Sequence, residues 1–374
     1  MKGLVITNKG IEDIAAKEVQ ELIKLDSKPI IKETAVIFEV KKLEELCLLC
    51  YRAQSAARVL LLLDELKIKK DLEETAIIIE KSISNHKKDL EKWLENKSFK
   101  VECRRIGEHN FNSVDLSREI GELIYDTVSN KKVDPNNPDV VVYIYVYSAS
   151  CYIGIDFSGF DLSKREYKIF NHPEALKGNI AYALVRLAEY NKKDVFLDVY
   201  CKSGIIPIEA AIYASRFPIN FYRKEFLFQK FIKFDFEKEN KKTENEKLGI
   251  NGFDAFMGNV TASKKNAKIA GVDKWINFAR ADAEWLDTKF DRGKVDKIIT
   301  KLPETSKNKD RKEVEKLYKE FFYQIDFVLN KKGKMILITK DKDILEKEKG
   351  KFKIVEERII YSGEMPLGIF ILER

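Results

Sequence analysis

The chain has 374 residues, which is enough for two or three domains with their own hydrophobic cores. No apolar run approaches the roughly 18 residues that a membrane span needs, and the start lacks the apolar core of a signal peptide. We therefore expect a cytoplasmic protein without membrane contact. The 68 basic and 61 acidic side chains give a net charge of +7, which suits either an RNA partner or simple solubility.

The five cysteines are scattered along the chain, and only Cys47 and Cys50 form a C-x-x-C pair. Both lie in a segment with helical periodicity, and no second pair follows. A structural zinc site needs four ligands at short spacings. We therefore expect buried free thiols and no metal site.

Residues 1–66 predict strand, helix, strand, helix and strand in that order. This order is typical of a small ferredoxin-like α+β domain. Residues 67–158 form a second α+β region, which begins with an apolar run of uncertain type at 74–80. It continues with a helix for which Ser113 is the predicted N-cap, and it ends in a pair of strands.

Residues 159–190 form a polar linker and a helix. Basic side chains with interleaved aromatics can hold a nucleic-acid backbone and stack on bases, whereas a solvated linker is the alternative. The candidate RNA-binding residues are Lys164, Arg165, Tyr167 and Lys168.

From residue 191 to 374, predicted strands and helices alternate, as in a mostly parallel sheet covered on both faces. The almost entirely charged segment 230–247 is predicted to be a surface insertion or a mobile loop. The predicted strands are 195–199, 250–254, 276–280, 295–300, 334–339, 352–357 and 368–372.

In the first of these strands, the apolar run 195–197 ends in Asp198, and a turn with Ser203 and Gly204 and then a helix follow. Strand, glycine turn and helix begin a nucleotide-binding α/β unit, where a ligand can approach the unpaired N–H groups of the helix start. Asp254 ends the second strand, and Asp282 follows the third. Each Asp by itself is more often a turn former or cap.

Acids at these positions have distinct uses, because ligands bind beyond the carboxyl ends of such strands. The acid after the second strand can accept hydrogen bonds from ribose hydroxyls, and the acid after the third can accept one from adenine. Asp198 would attract a cation. Since the full G-x-G-x-x-G pattern is absent, we predict a site for an adenosine with a positive centre.

Several motifs carry a resemblance to known families. The stretches F-L-D-V-Y-C-K-S-G-I-I-P-I-E-A-A and L-Y-K-E-F-F-Y-Q-I-D-F-V-L-N-K-K-G-K-M-I-L-I-T make the second half resemble class I S-adenosylmethionine-dependent methyltransferases. S-R-E-I-G-E-L-I, C-Y-I-G-I-D and D-L-S-K-R-E-Y-K-I-F-N-H-P make the first half resemble a THUMP RNA-binding domain with its ferredoxin-like companion. Together they resemble the THUMP-containing tRNA guanosine-N2 methyltransferases over nearly the whole chain.

The resemblance implies an α/β fold with a Rossmann-like, seven-stranded, mostly parallel sheet at 191–374, behind a THUMP domain at 67–158. It implies that the THUMP half grips the tRNA acceptor end. It also implies S-adenosylmethionine as the cofactor, bound by Asp198, Ser203, Gly204, Asp254 and Asp282.

In this family an Asn-Pro-Pro-Tyr or Asn-Leu-Pro-Tyr type motif follows the fourth strand. The Asn oxygen and the next backbone carbonyl accept the hydrogens of the guanine amino group, and the aromatic residue stacks on the flipped base. The matching residues here are Lys301, Leu302, Pro303 and Glu304. A protonated lysine has no acceptor, and a glutamate does not stack as a ring does.

Two further positions depart from the family pattern. Lys202 replaces the first glycine of the turn, where a side chain crowds the methionine end of the cofactor or demands a strained backbone. Phe256 replaces a frequent second acid after the second strand. Two hypotheses follow: an active methyltransferase in which Glu304 replaces Asn as the acceptor, or a catalytically inactive tRNA-binding module or partner subunit. A methyltransferase for another acceptor is a third, disfavoured by the RNA-binding half.

Overall fold

A computed structural model describes residues 1–223, 225–307 and 309–374. It divides the chain into two compact units. The first comprises Met1–Thr7, Ala15–Leu162 and Tyr222–Asp235. The second comprises Asn8–Ile14, Ser163–Phe221 and Phe236–Arg374. The domain boundaries predicted from the sequence stay predictions.

The first unit is built on one sheet of eight strands, in the order β2-β3-β1-β4-β8-β7-β5-β6. The predicted strand and helix order of residues 1–66 is found, with one additional short strand, β2. The elements are β1 (Lys2–Ile6), α1 (Glu12–Ile23), β2 (Ile30–Lys32), β3 (Ala35–Glu39), α2 (Glu44–Arg52), β4 (Arg58–Lys67), α3 (Leu72–Asn85), α4 (Lys87–Leu94), β5 (Ser98–Ile106), α5 (Ser113–Thr127), β6 (Lys132–Val133), β7 (Val140–Tyr147) and β8 (Ser150–Asp156).

Pairing between β4 and β8 makes this sheet continuous across the predicted boundary at residue 66. The two strands are antiparallel, with Leu60 opposite Asp156 and Lys67 opposite Ser150. Asp156 is fully buried at the end of β8, and its carboxylate accepts a hydrogen bond from Arg58 of β4 at 2.5 Å. The pairing therefore joins the ferredoxin-like and THUMP regions through main-chain hydrogen bonds and a buried ion pair.

The structure resolves one uncertain prediction in this unit and corrects another. The apolar run at 74–80 lies within helix α3, because Ala76, Ile79 and Ile83 recur at helical spacing and are buried together. The predicted N-cap Ser113 was wrong by one residue. Asn112 caps α5, since its side-chain oxygen accepts the N–H groups of Val114 and Asp115 at 2.8 and 3.0 Å.

The second unit contains the predicted seven-stranded sheet. Its order is β11-β10-β9-β12-β13-β15-β14, and only β15 runs antiparallel to its neighbours. The elements are α6 (Gly178–Leu187), β9 (Phe196–Asp198), α7 (Ile205–Ser215), α8 (Phe236–Asn240), β10 (Ile250–Asp254), α9 (Met257–Ala270), β11 (Ile276–Arg280), β12 (Val295–Lys301), α10 (Arg311–Val328), β13 (Leu329–Ile338), α11 (Lys342–Glu348), β14 (Lys353–Ser362) and β15 (Met365–Glu373).

Hydrophobic clusters cover both faces of this sheet, which confirms the predicted α/β class. Consecutive residues of β9 point to opposite faces: Phe196 packs into the cluster of α6, α7 and α9, and Leu197 packs into that of α10 and α11. Because β9, β10, β11 and β12 are parallel to one another, their carboxyl ends lie at the same edge of the sheet. The residues that follow them are brought together there.

The charged segment 230–247 is partly ordered by pairing and is not simply a loop. It contains the short helix α8, and Glu239 is buried while it accepts two hydrogen bonds from the Lys242 ammonium at 2.6 and 2.8 Å. Glu244 pairs with Lys192 at 2.7 Å. In the described part of the chain, no helix has the length and apolar character to cross a membrane.

Candidate functional site

Asp198 lies at the end of β9, and its side chain is almost completely buried. Its Oδ1 accepts hydrogen bonds from the Thr300 hydroxyl at 2.7 Å and from the Tyr200 N–H at 3.3 Å. Burial raises the pKa of Asp198 to about 7, because the charged form loses its hydration, although the two donors oppose the shift. The carboxyl group is therefore poised between its neutral and charged forms near neutral pH.

The turn after Asp198 places two residues in the left-handed region. Gly204 has φ +78° and is the N-cap of α7, and a Cβ atom there would lie only 2.9 Å from the Phe278 ring. Lys202 has φ +52°, which is strained for a residue with a side chain. The backbone strain foreseen at Lys202 is thus present.

Hydrogen bonds on both sides hold the Lys202 backbone in this conformation. Its N–H donates to Asp254 Oδ2 at 3.0 Å, and its carbonyl accepts the Ser263 hydroxyl at 2.9 Å. Asp254 Oδ1 accepts from the Phe256 N–H at 3.0 Å and from the Asn259 amide at 2.9 Å. Asp254 therefore ties the loop after β10 to the turn after β9.

The third acid, Asp282, lies two residues beyond β11 and is exposed. Its carboxylate caps the 3₁₀ helix Ala283–Thr288 by accepting the Glu284 N–H at 3.3 Å. Because β9, β10 and β11 are adjacent and parallel, the three acids follow three neighbouring strand ends. Phe256 is 72% exposed, so it does not fill the space among them.

A small cavity of about 20 Å³ lies beside the turn, since the Lys202 and Glu174 side chains occupy part of its space. Its lining includes Glu174, Asp198, Lys202, Ser203 and Lys301, whereas Asp254 and Asp282 lie outside it. Among the described residues, the buried Ser203 hydroxyl has no hydrogen-bond partner. A buried hydroxyl without a partner costs free energy, so a ligand that hydrogen-bonds to it would bind favourably.

Two ion pairs lie at this cavity. The Lys202 ammonium is bound by the Glu174 carboxylate, and only 13% of the Lys202 side chain is exposed. Lys301 Nζ lies 3.6 Å from Glu304 Oε2, and Glu304 Oε1 accepts the Lys340 N–H at 3.0 Å. The two lysines that depart from the family pattern are therefore both neutralised within the site.

The segment after β12 is anchored by the sheet and by a neighbouring loop. Leu302 is buried, and its N–H donates to the Ile338 carbonyl at 3.0 Å. The Thr305 N–H and hydroxyl both donate to the Asp341 carboxylate, at 2.7 and 2.8 Å. Lys301, Leu302, Pro303 and Glu304 are thereby fixed at the sheet edge next to the turn after β9.

Comparison with known proteins identifies both halves of the chain. The family described as "RMKL-like, methyltransferase domain" matches residues 165–366, more than half of the chain, and the THUMP domain matches residues 73–156. The chain belongs to the RMKL-like methyltransferase family.

Relatives of this RMKL-like chain support the same conclusion. It is 33% identical over 299 residues to the tRNA (guanine(6)-N2)-methyltransferase of Methanocaldococcus jannaschii, covering 76% of this chain and 78% of the relative. It is 27% identical over 287 residues to the protein of the same name from Archaeoglobus fulgidus, covering 75% and 70%. The crystal structure of TrmN from Thermus thermophilus is similar in fold, with a TM-score of 0.72, 23% identity and coverage of 100% and 99%.

Two of the four candidate RNA-binding residues in this RMKL-like chain, Arg165 and Tyr167, are buried in the structure. Arg165 forms a two-bond ion pair with Glu209, at 2.6 and 3.1 Å, and Tyr167 donates its hydroxyl to the same carboxylate at 2.6 Å. All three side chains are buried. Arg165 and Tyr167 therefore do not present their polar groups to RNA, which corrects that part of the prediction.

The other two residues of the stretch differ in exposure. Lys168 is partly buried and donates to the backbone carbonyls of Leu176 at 2.9 Å and Ala175 at 3.4 Å. Lys164 is exposed, so it alone of the four extends into solvent. It remains a candidate for contact with a phosphate.

Several residues of the site were missed by the sequence reasoning. Thr300 and Asn259 orient the acids Asp198 and Asp254, and Glu174 neutralises Lys202. Thr300 ends a predicted strand, which is a usable signal, because such residues lie at the ligand edge of the sheet. Glu174 carries no comparable signal, since it is 28 positions from its partner.

Proposed function

We propose that the protein transfers a methyl group from S-adenosylmethionine to the N2 amino group of a guanosine in tRNA. The observation that carries this proposal is the meeting of two segments at one sheet edge. The turn from Asp198 to Gly204 follows β9, and the segment from Lys301 to Glu304 follows the adjacent strand β12. Guanosine 6 is the position to test, because the relatives named above carry it in their names.

The residues at the turn fit the proposed cofactor. Ser203 offers a buried hydroxyl without a partner among the described residues, and Gly204 leaves room that a side chain would fill. Asp198 would stabilise positive charge nearby, and Asp254 and Asp282 stand at the ends of the next two strands for ribose and adenine. When bound, S-adenosylmethionine supplies an electrophilic methyl group on a sulfonium.

The acceptor side is assigned to the segment after β12. The N2 nitrogen of guanine is a poor nucleophile because its lone pair is delocalised into the ring. Glu304 and the Leu302 carbonyl would accept the two amino hydrogens, which concentrates the lone pair on nitrogen and orients it for in-line attack. Lys301 and the Lys340 N–H hold the Glu304 carboxylate in place. No residue from 301 to 304 is aromatic, so base stacking must come from elsewhere.

The THUMP domain at 73–156 is proposed to hold the tRNA, at its acceptor end. The net charge of +7 favours such an anionic partner. Titration with tRNA at increasing salt tests this step, since phosphate contacts weaken steeply as salt rises. We also propose that the protein works in the cytoplasm, where tRNA is modified.

The inactive alternative rests on the sequence alone, because Lys301 and Glu304 stand where the resemblance implies Asn and an aromatic residue. Methyl transfer from labelled S-adenosylmethionine to unmodified tRNA separates the two functions. Formation of N2-methylguanosine, identified by mass spectrometry of nucleosides, supports the enzyme. Cofactor and tRNA binding without any product supports the inactive binding module. Ribosomal RNA serves as the control substrate.

A further inference from the structure

Lys202 and Glu174 form an ion pair on the lining of the cavity beside the turn after β9. The Lys202 end of this ion pair is shielded from solvent, since only 13% of the Lys202 side chain is exposed. Burial lowers the pKa of Lys202, whereas its bond to Glu174 opposes that shift. A charge kept in such a place needs a partner of opposite sign at all times.

The backbone at Lys202 shows that this position is maintained at a cost. A residue with a side chain at φ +52° is strained, whereas glycine adopts this conformation without strain. A hydrogen bond from the Lys202 N–H to Asp254 and one from the Ser263 hydroxyl to the Lys202 carbonyl nevertheless hold the conformation from both sides. The strained backbone therefore places a lysine side chain at the cavity, where a glycine would leave open space.

The two partners offer a complementary pair of charges to a ligand in the cavity. The amino-acid end of S-adenosylmethionine is a zwitterion, with one carboxylate and one ammonium on the same carbon. Building on the proposed function, we propose that Lys202 binds the carboxylate and Glu174 binds the ammonium of this end. The ligand carboxylate would replace Glu174 as the partner of Lys202, and the ligand ammonium would replace Lys202 as the partner of Glu174. Neither side chain is then left unpaired.

The neighbouring groups are compatible with this exchange. Lys301 is the other cation on the lining, and Glu304 lies 3.6 Å from it, so this second pair stays neutral. His172 lies next to Glu174, whose N–H donates to His172 Nδ1 at 3.2 Å.

Calorimetry of the full-length protein with three probes tests the assignment. S-adenosylhomocysteine carries both charges, its decarboxylated form carries only the ammonium, and 5′-methylthioadenosine carries neither. In Lys202→Met, we expect the affinity for S-adenosylhomocysteine to fall by about tenfold or more, while that for 5′-methylthioadenosine changes by less than about twofold. The preference for S-adenosylhomocysteine over its decarboxylated form should disappear.

Glu174→Gln gives the complementary result. It should weaken binding of both probes that carry the ammonium and leave 5′-methylthioadenosine unaffected. Lys202→Met removes the charge and keeps the strained backbone, whereas Lys202→Gly removes both. The two variants should therefore lose the same carboxylate preference. Lys264→Met is the matched control, since Lys264 is exposed on α9 and lies outside the lining.

The outcomes distinguish this inference from the function on which it depends. If Lys202→Met binds S-adenosylhomocysteine as tightly as the wild type does, or if its affinity for all three probes falls equally, Lys202 and Glu174 do not bind the charged amino-acid end of the cofactor. If the wild-type protein binds none of the three probes at millimolar concentration, the cofactor site itself is refuted, and the assignment with it. Selective loss in Lys202→Met with retention in Lys264→Met supports both.

Discussion

The Thr300 hydroxyl donates to Asp198 Oδ1 at 2.7 Å and thereby joins the ends of the adjacent strands β9 and β12. Both residues are buried. The same carboxyl group accepts the Tyr200 N–H, so the first residues of the turn are fixed from the sheet. The link couples the proposed cofactor side of the site to the segment that would hold the acceptor.

This bond makes a prediction about pH. The pKa of Asp198 is raised from 3.8 to about 7 in the folded protein, so the folded state holds a proton that the unfolded state has released. The free energy of unfolding should therefore fall as pH rises from about 4 to about 7, by an order of a few kcal/mol at most. Asp198→Asn keeps an acceptor for both donors and should flatten this dependence. Urea unfolding of both proteins at pH 5 and pH 7 measures it.

Thr300→Val provides the contrasting variant. It removes a donor that stabilises the charged carboxylate, so the pKa of Asp198 should rise further and the loss of stability should continue to higher pH. A parallel pH dependence in the wild type and in Asp198→Asn would show that Asp198 does not carry the effect.

Gly204 and Gly258 form a matched pair for substitution by alanine. A Cβ at Gly204 would lie 2.9 Å from Phe278, and the residue has φ +78°, so Gly204→Ala should destabilise the protein by about 1–3 kcal/mol and weaken cofactor binding. Gly258 lies in helix α9 with nothing within 4 Å of a Cβ, so Gly258→Ala should stabilise by about 0.5–1 kcal/mol. Thermal unfolding gives the comparison, and equal effects of the two changes would contradict it.

The buried pair of Arg165 and Glu209 should be sensitive to the loss of either partner. Arg165→Met leaves the Glu209 charge uncompensated in the core, which is expected to cost about 3–5 kcal/mol. Arg165→Met with Glu209→Leu removes both charges and should cost less than the single change. Urea unfolding measures the difference, and a double variant less stable than Arg165→Met would refute this account.

Lys301→Asn with Glu304→Tyr restores the residues that the family carries at these positions. The Asn oxygen then accepts an amino hydrogen and the ring stacks on the base, so the rate of N2-guanosine methylation should rise. Single-turnover assays with labelled cofactor and tRNA measure the rate. An unchanged rate, with cofactor binding intact, would place the rate limit outside this segment.

Local patterns predicted much of this fold. Strands β10 and β11 were predicted at the residues that the structure gives them, because short apolar runs between turn residues specify them well. The strand ends at Asp198 and Asp254 followed from the same patterns. The predicted strand at 334–339 begins at Leu329 instead, since the polar residues after Leu329 hide its start.

Pairing over long sequence distances was not predictable in this way. Arg165 and Tyr167 looked like exposed RNA-binding residues, because their partner Glu209 lies more than 40 positions away. The same holds for Lys202, whose role depends on Glu174. A single sequence shows the type of each residue, but it does not show which distant charge will neutralise it in the core.

The main-chain pairing of β4 with β8 has a consequence for how this protein can be dissected. Expressing the THUMP segment without residues 1–66 would remove β4, one of the two neighbours of β8, and leave an unpaired strand edge of the kind that pairs with other chains. The deletion would also remove Arg58, so the buried Asp156 carboxylate would lose the cation with which it pairs. Truncation studies of tRNA recognition should therefore keep the strands of residues 1–66 with those of 67–158, together with Tyr222–Asp235, which belongs to the same compact unit.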